Sequence, residues 1–159
     1  MLVKEGGKSI WKLNGAAVPK DVEGLCEQVA RGYERRKRDH ERRRFDIMYS
    51  GGSGFIETGG RSAGNIGDPC ARKAERLEKL DCGLDARLIK AVDESLFVLC
   101  ADVSRDLREK LMKSILLNCE SGRDYPYEQL GIDEFSRTDF YRRKRRFIRG
   151  IGVVLGLVE

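Results

Sequence analysis

The sequence predicts an all-α protein, a helical bundle that ends in a helix-turn-helix. Apolar residues recur at helical spacing over much of the chain, and no stretch alternates persistently enough to predict a β-strand. Residues that favour helix starts and helix ends stand where these repeats begin and end. At 159 residues the chain is long enough for one domain with extensions and a modest helical core.

Residues 1–49 are predicted to be an N-terminal extension with a basic helix. Residues 1–19 are polar and contain glycine, with Trp11 as the one large anchor. A helix is predicted over Lys20–Tyr49 because apolar residues recur at helical spacing as far as Tyr33. The pattern then becomes almost wholly charged, as in ERRKRDHERRR, so this part of the helix is expected to bury little.

Residues 50–67 read SGGSGFIETGGRSAGNIG and predict a flexible linker. The stretch contains seven glycines and almost no packing residues. A phosphate-binding P-loop needs G-x-x-x-x-G-K-[ST], and no Gly-Lys-Ser/Thr occurs in this stretch. Gly7-Lys8-Ser9 lacks the upstream glycine of that motif. The linker therefore predicts a domain boundary, and no nucleotide cofactor is expected.

Residues 68–159 are predicted to form the helical domain. Asp68 and Pro69 suit the N-cap and the first position of a helix. Gly83 predicts the end of that helix, a second helix follows it, and Ser104 caps a third.

The helix-turn-helix is predicted over about residues 104–158. Its scaffold helix is Ser104–Cys119, Pro126–Leu130 is expected to cross the DNA backbone, and Ser136–Val158 is expected to enter the groove. The connection Gly131–Phe135 is somewhat longer than the usual turn.

The last of these helices has two chemically distinct sides. Ser136 is a natural N-cap, and Asp139 completes the capping-box pattern. The apolar side consists of Phe140, Phe147, Ile148, Ile151, Val154, Leu155 and Val158. The other side consists of Thr138, Arg142, Arg145, Arg146 and Arg149. Gly150, Gly152 and Gly156 predict a weak end to the helix.

These features predict contact with double-stranded DNA. Arg142 and Arg145 suit bidentate contacts to guanine. The helix N-terminus, with its hydroxyls and free N–H groups, suits a phosphate. The predicted DNA-binding residues are Ser136, Arg137, Thr138, Tyr141, Arg142, Arg143, Lys144, Arg145, Arg146 and Arg149. Arg143, Lys144, Arg146 and Arg149 are assigned to phosphates, while Tyr141 either touches DNA or packs its ring.

Basic residues are concentrated in two blocks. Arg31–Arg44 holds eight basic and three acidic residues, and Arg137–Arg149 holds seven and one. The summed net charge of the two blocks exceeds the +5 of the whole chain, so the rest of the chain is net acidic. Such a separation of charge is typical of a surface that binds a polyanion. Within the first block, residues 35–44 could follow a flanking DNA backbone, contact another chain or be a solvated helix face.

Several functions are not expected. The five cysteines form no C-x-x-C pair, and His40 is the one histidine, so neither a zinc finger nor a catalytic zinc site is predicted. His40 has no evident catalytic partner, and we expect a non-enzyme without cofactor or metal. No apolar run approaches the ~20 residues of a membrane span, and no signal peptide opens the chain. A cytoplasmic protein with reduced thiols is expected.

Two segments resemble one family. GNIGDPCARKAERLEKLD (64–81) resembles a segment that follows a glycine-rich linker in phage and prophage transcriptional regulators of the ArpU/RinA type. SRTDFYRRKRRF (136–147) is similar to their C-terminal S-R-x-T-F-Y-x-x-R-R-x-F pattern. With the basic N-terminal helix, the resemblance covers about two-thirds of the chain. Cys70 and Asp139 stand where that family usually or often has threonine, and the turn is longer.

The resemblance implies a sigma-region-4-like helix-turn-helix and a late-gene activator that acts on DNA in the cytoplasm of a bacterial host cell. Two other functions stay open. One is a sigma-like adaptor that binds RNA polymerase through the arginines, and the other is a DNA-packaging protein like a terminase small subunit. The oligomeric state is also open, although a two-fold operator would require a dimer.

Overall fold

The computed structural model describes residues 18–49, 68–121 and 125–158 as an all-helical protein. None of these residues forms a β-strand, so the predicted all-α class is confirmed. The helices in chain order are α1 (Lys20–Arg31), α2 (Tyr33–Tyr49), α3 (Pro69–Asp81), α4 (Leu84–Leu99), α5 (Arg105–Ser121), a 3₁₀ helix (Tyr127–Gln129) and α6 (Arg137–Val154). No described helix combines the length and the apolar character that a membrane span requires.

The chain divides into two compact units, a first unit of Met1–Tyr33 with Lys90–Glu159 and a second unit of Glu34–Ile89. Every buried apolar residue of the described ranges belongs to the first unit. There α1 packs on α5 and α6, a contact that no local pattern in the sequence predicts. The predicted linker and Trp11 lie outside the described residues. The domain boundaries next to that linker therefore stay a prediction.

The helix predicted over residues 20–49 is two helices. α1 ends at Arg31 and α2 begins at Tyr33, because Gly32 between them has φ −89° and ψ 5°. Glycine is a weak helix former, and this backbone conformation lies outside the α-helical range. α1 buries three residues on its inner side, whereas Tyr33 is the one buried residue of α2. The break thus falls where the apolar pattern gives way to charge.

The second unit contains most of α2, all of α3 and the start of α4. The predicted start of α3 is confirmed, since the Asp68 carboxylate accepts a hydrogen bond of 2.9 Å from the Cys70 N–H. The predicted break at Gly83 is also confirmed, because it lies between α3 and α4. No residue of α3 is buried, and the ion pair of Arg44 with Asp81 at 2.5 Å ties α2 to α3.

The helix predicted at Pro126–Leu130 is a single 3₁₀ turn of three residues, Tyr127–Gln129. Leu130 is its C-cap, and the next residue, Gly131, has a φ of 60°, a conformation that favours glycine. The Tyr127 hydroxyl donates a hydrogen bond to the Phe135 carbonyl and so fastens the turn to the loop that follows. The predicted short helix is therefore a three-residue 3₁₀ helix, and the backbone-crossing role predicted for it stays a prediction.

The last helix ends at Val154 and not at residue 158 as predicted. Gly156, at φ 72°, allows two backbone hydrogen bonds of 3.0 and 2.8 Å that close the helix end as a Schellman motif. Gly152 is buried, and a Cβ atom there would lie 3.4 Å from the Cys26 sulfur of α1. These glycines therefore close α6 and admit α1.

Candidate nucleic-acid interface

The helix α6 is anchored in the first unit through its apolar side. The Ser136 hydroxyl accepts a hydrogen bond of 3.1 Å from the Asp139 N–H, which confirms the predicted N-cap. The large side chains that are buried on this side are those of Phe140, Phe147, Ile148 and Ile151. Val154, Leu155 and Val158, predicted to share that side, are half-buried near the helix end.

The opposite side of α6 is basic and open to solvent. Its exposed residues are Thr138, Arg142, Arg145 and Arg146. The predicted division of this helix into an apolar and a basic side is confirmed by this pattern of burial. Arg149 lies half-buried and interacts with other groups of the protein. Within the described ranges, neither Arg145 nor Arg146 forms an ion pair or a side-chain hydrogen bond.

Arg143 points into the first unit rather than to solvent. Its guanidinium donates two hydrogen bonds, of 3.0 and 2.8 Å, to the carboxylate of Asp102, and one of 3.2 Å to the Leu99 carbonyl. Its Nε donates to Asp139 at 2.9 Å. The hydrogen bonds that Arg143 donates to Asp102 outweigh partial burial and raise the pKa of Arg143 above its ordinary value. A guanidinium held in this way has few donors left for a phosphate.

Lys144 is also committed within the protein. Its ammonium group donates a hydrogen bond of 2.9 Å to the side-chain oxygen of Asn118. Asn118 is 2% exposed, and its amide donates in turn to the Tyr125 carbonyl at 2.7 Å. The chain Lys144–Asn118–Tyr125 therefore links α6, α5 and the segment before the 3₁₀ helix. This places Lys144 among residues that hold α6 in position.

Two arginines on the exposed surface have acidic neighbours. Arg137 pairs with Glu128 at 2.9 Å, and Arg142 pairs with Asp139. Partial burial raises the pKa of Asp139, but hydrogen bonds from Arg143 and Arg142 prevail and keep the pKa below its ordinary value. Both pairs are exposed, so water and salt screen them. Either guanidinium can therefore exchange its carboxylate partner for a phosphate.

The first turn of α6 places the remaining predicted residues. Ser136 and Thr138 are exposed beside the free N–H groups of the helix N-terminus. Tyr141 is half-buried, with its ring edge-on to that of Phe140 at 5.4 Å between centroids. The guanidinium of Arg137 lies 6.0 Å from the Tyr141 ring centre. Tyr141 thus packs and also borders the exposed face.

Two residues that shape this surface escaped the sequence analysis, namely Asp102 and Asn118. Asp102 lies 41 positions before Arg143 and Asn118 lies 26 positions before Lys144. Each sits on a different element from its partner, so no local spacing relates them. A polar residue among the apolar positions of α5 was the one available signal, and it marked Asn118.

The described residues contain no group of three or more histidine, cysteine or acidic side chains that could hold a metal ion. Cys26, Cys100 and Cys119 are buried free thiols, while Cys70 and Cys82 are exposed. Comparison with known protein families, curated proteins and solved structures finds no match to this chain.

Proposed function

We propose that the protein is a sequence-specific regulator of transcription that binds double-stranded DNA through the exposed side of α6. The observation that supports this most directly is the separation of the two sides of the helix. Four large apolar side chains fix one side in the first unit, and three arginines with Thr138 stand on the other side in solvent. A helix held in this way presents cations at a fixed orientation, as a groove-reading helix requires.

Arg145 and Arg142 are the proposed guanine contacts. Both are exposed near the middle of α6, and a bidentate arginine–guanine contact discriminates against a wrong base by about 1–3 kcal/mol. Arg145 forms no ion pair within the described ranges, so it can meet a base without losing a protein partner. Arg142 first has to leave Asp139.

Phosphates are the proposed partners of the surrounding groups. Arg146 lies on the exposed side of α6, and Ser136, Arg137 and Thr138 are exposed at the helix N-terminus. Such contacts fix the register of the protein on DNA without reading sequence. Arg143 and Lys144 are proposed to position α6, because Asp102 and Asn118 bind them from inside.

The proposed reading unit is a variant of the helix-turn-helix. α5 is its scaffold, and α6 is its reading helix. The 3₁₀ turn and the loop before Ser136 replace the usual second helix. Because that turn is short, the backbone contact normally made by a second helix would come from the start of α6.

The resemblance to phage and prophage regulators of the ArpU/RinA type supports a late-gene activator in the cytoplasm of a bacterial host cell. The described part of the first motif covers α3 with its N-cap, and the second motif covers the first three turns of α6. An activator of this kind would bind DNA first and RNA polymerase as a second partner. The DPxARKA segment would then serve as a helix start in the second unit, since Asp68 caps α3.

Duplex affinity across a salt series tests the proposal. Neutralised phosphates release counterions, so the logarithm of the affinity should fall linearly with the logarithm of salt, by about 0.9 per phosphate contact. Arg146→Gln should reduce that slope by about 1. Lys113→Gln, which removes an exposed charge from α5, is the matched control and should leave the slope unchanged.

Other outcomes point to the alternative functions. Binding to RNA polymerase without any salt-sensitive binding to DNA would contradict the proposal in favour of a polymerase adaptor. Duplex binding by a large ring-shaped oligomer, seen as a mass of many chains in solution, would favour a DNA-packaging protein.

A further inference from the structure

The exposed side of α2 carries a row of basic and aromatic residues. Arg35, Arg38, Arg42, Phe45 and Tyr49 follow one another at spacings of three, four, three and four. Residues at these spacings lie along one side of a helix. All five are exposed, with Phe45 60% and Tyr49 68% accessible to solvent. We refer to these five residues as the α2 stripe.

The cations on the other side of α2 already have acidic partners in the second unit. Arg44 pairs with Asp81 at 2.5 Å, and Arg43 lies 3.6 Å from Asp85. The imidazole of His40 also lies 3.4 Å from Asp81. Arg43 and Arg44 therefore face acidic residues of the second unit, whereas the α2 stripe faces solvent.

The three arginines of the α2 stripe have no such partners in the described part of the chain. None of Arg35, Arg38 and Arg42 forms an ion pair or a side-chain hydrogen bond there. Acidic residues do occur on α2, but they flank the stripe rather than lie within it. The row therefore presents three guanidinium groups to any anion that can follow the helix axis.

The stripe ends in two adjacent aromatic rings. The ring centres of Phe45 and Tyr49 lie 4.3 Å apart, with 34° between the ring planes. Exposed aromatic rings offer faces on which a flat partner such as a base can stack. The distance from Arg35 to Tyr49 along the helix is about 21 Å, enough for several nucleotides.

We propose that the α2 stripe binds single-stranded nucleic acid, with phosphates on the three arginines and unpaired bases stacked on Phe45 and Tyr49. A single strand offers both chemistries at once, and the combination of a basic track with aromatic rings is how proteins bind it without sequence preference. This inference does not rest on the proposed function, because α6 and α2 contribute different residues.

Other partners fit the stripe less well. A duplex stacks its bases on one another and offers no free base face to the two rings. An interfacial membrane helix has an apolar side along its length, whereas the apolar residues of this surface are confined to the last turns of α2. A second copy of the chain would bring six guanidinium groups together and repel.

Fluorescence anisotropy with the full chain and a labelled single-stranded DNA of mixed sequence tests the inference. Phe45→Ala/Tyr49→Ala should weaken binding at least about fivefold, because stacking contributes about 1–3 kcal/mol per base. Phe97→Ala removes a ring that is 65% exposed on α4 and is the matched control, which should bind as the wild type does.

Two further arms separate rings from charge. An abasic strand with the same number of phosphates should bind the wild type more weakly, and the double ring variant should bind abasic and normal strands equally. Arg35→Gln/Arg38→Gln/Arg42→Gln should lower the salt slope by about 2, since a single strand contributes about 0.7 per phosphate contact.

The inference is overturned if Phe45→Ala/Tyr49→Ala binds the single strand as tightly as the wild type does. It is also overturned if Phe97→Ala weakens that binding as much as the double variant does. Binding to vesicles of anionic phospholipid in place of the oligonucleotide would also overturn it. Duplex binding gives an independent readout: Arg142→Gln/Arg145→Gln should reduce it and leave single-strand binding intact. Failure of the duplex arm alone would contradict the proposed function and leave this inference standing.

Discussion

Arg143 of α6 binds both carboxylate oxygens of Asp102, at 3.0 and 2.8 Å, and so joins the candidate reading helix to the turn that follows α4. Paired hydrogen bonds between guanidinium and carboxylate are directional as well as strong. The same guanidinium reaches Asp139 one turn earlier in α6 and the Leu99 carbonyl at the end of α4. A residue that sequence alone assigned to DNA therefore orients the helix that presents Arg142 and Arg145.

Replacing Arg143 by glutamine should lower the stability of the protein, whereas the same replacement of Arg145 should not. Arg143→Gln removes hydrogen bonds to two carboxylates and one carbonyl, and should reduce the free energy of unfolding by about 1–2 kcal/mol after allowance for solvent screening. Arg145→Gln, the matched control on the exposed side, should stay within about 0.5 kcal/mol. Urea unfolding measures both. Equal losses in the two variants would contradict the inward role of Arg143.

Stability should fall on the acid side. Hydrogen bonds from Arg143 lower the pKa of Asp102, and those from Arg143 and Arg142 prevail over burial to lower the pKa of Asp139. A carboxyl group whose pKa is lowered by folding stabilises the protein above its unfolded pKa of ~4 and loses that contribution as pH falls through the folded pKa.

Urea unfolding between about pH 7 and about pH 3 measures this dependence. The unfolding free energy of Asp102→Asn should decline less than that of the wild type as the pH falls, because only Asp139 of the two carboxylates keeps a lowered pKa. A decline as steep as that of the wild type would show that Asp102 does not contribute.

Asn118 should be needed to hold the segment before the 3₁₀ helix. Asn118→Ala leaves the Tyr125 carbonyl and the Lys144 ammonium without their buried partner and should cost about 1–3 kcal/mol. Hydrogen exchange of the amides from Tyr125 to Leu130 should rise more than that of α6. A uniform rise throughout the first unit would mean that the bridge has no local effect.

The five thiols should separate into two classes. Cys70 and Cys82 are exposed and should react quickly with a thiol reagent at about pH 8. Burial raises the pKa of Cys26, and it raises the pKa of Cys100 and of Cys119 to about 11. Those three should react slowly until the protein is unfolded. Timed labelling followed by mass spectrometry counts the fast thiols, and more than two in the native protein would contradict this packing.

Local signals in the sequence predicted the helix ends well where the chemistry is local. Ser136 and Asp68 cap helices by hydrogen bonds to residues two or three positions away, so their spacing is visible in the sequence. Gly83 lies between α3 and α4, where a glycine in the sequence predicts a break. The two sides of α6 also follow from spacing alone, because burial on a helix repeats every 3.6 residues.

The roles of Arg143 and Lys144 could not be predicted in the same way. Both lie in a run of five consecutive basic residues, and what distinguishes them from Arg142 and Arg145 is a partner on another helix. The packing of α1 against Gly152 of α6 likewise depends on a contact between distant parts of the chain. Local spacing predicts only that Gly152 weakens α6, whereas the structure places it against the Cys26 sulfur.

Selection of duplexes from a randomised pool tests the central claim, which is that the exposed arginines of α6 read DNA sequence. The wild type, Arg142→Ala/Arg145→Ala and the control Lys113→Ala are selected in parallel at moderate and high salt. The account predicts that one motif is enriched by the wild type and by the control, and is lost with the double variant. The account would be contradicted if the double variant still enriches the motif, or if the wild type retains no DNA at either salt concentration.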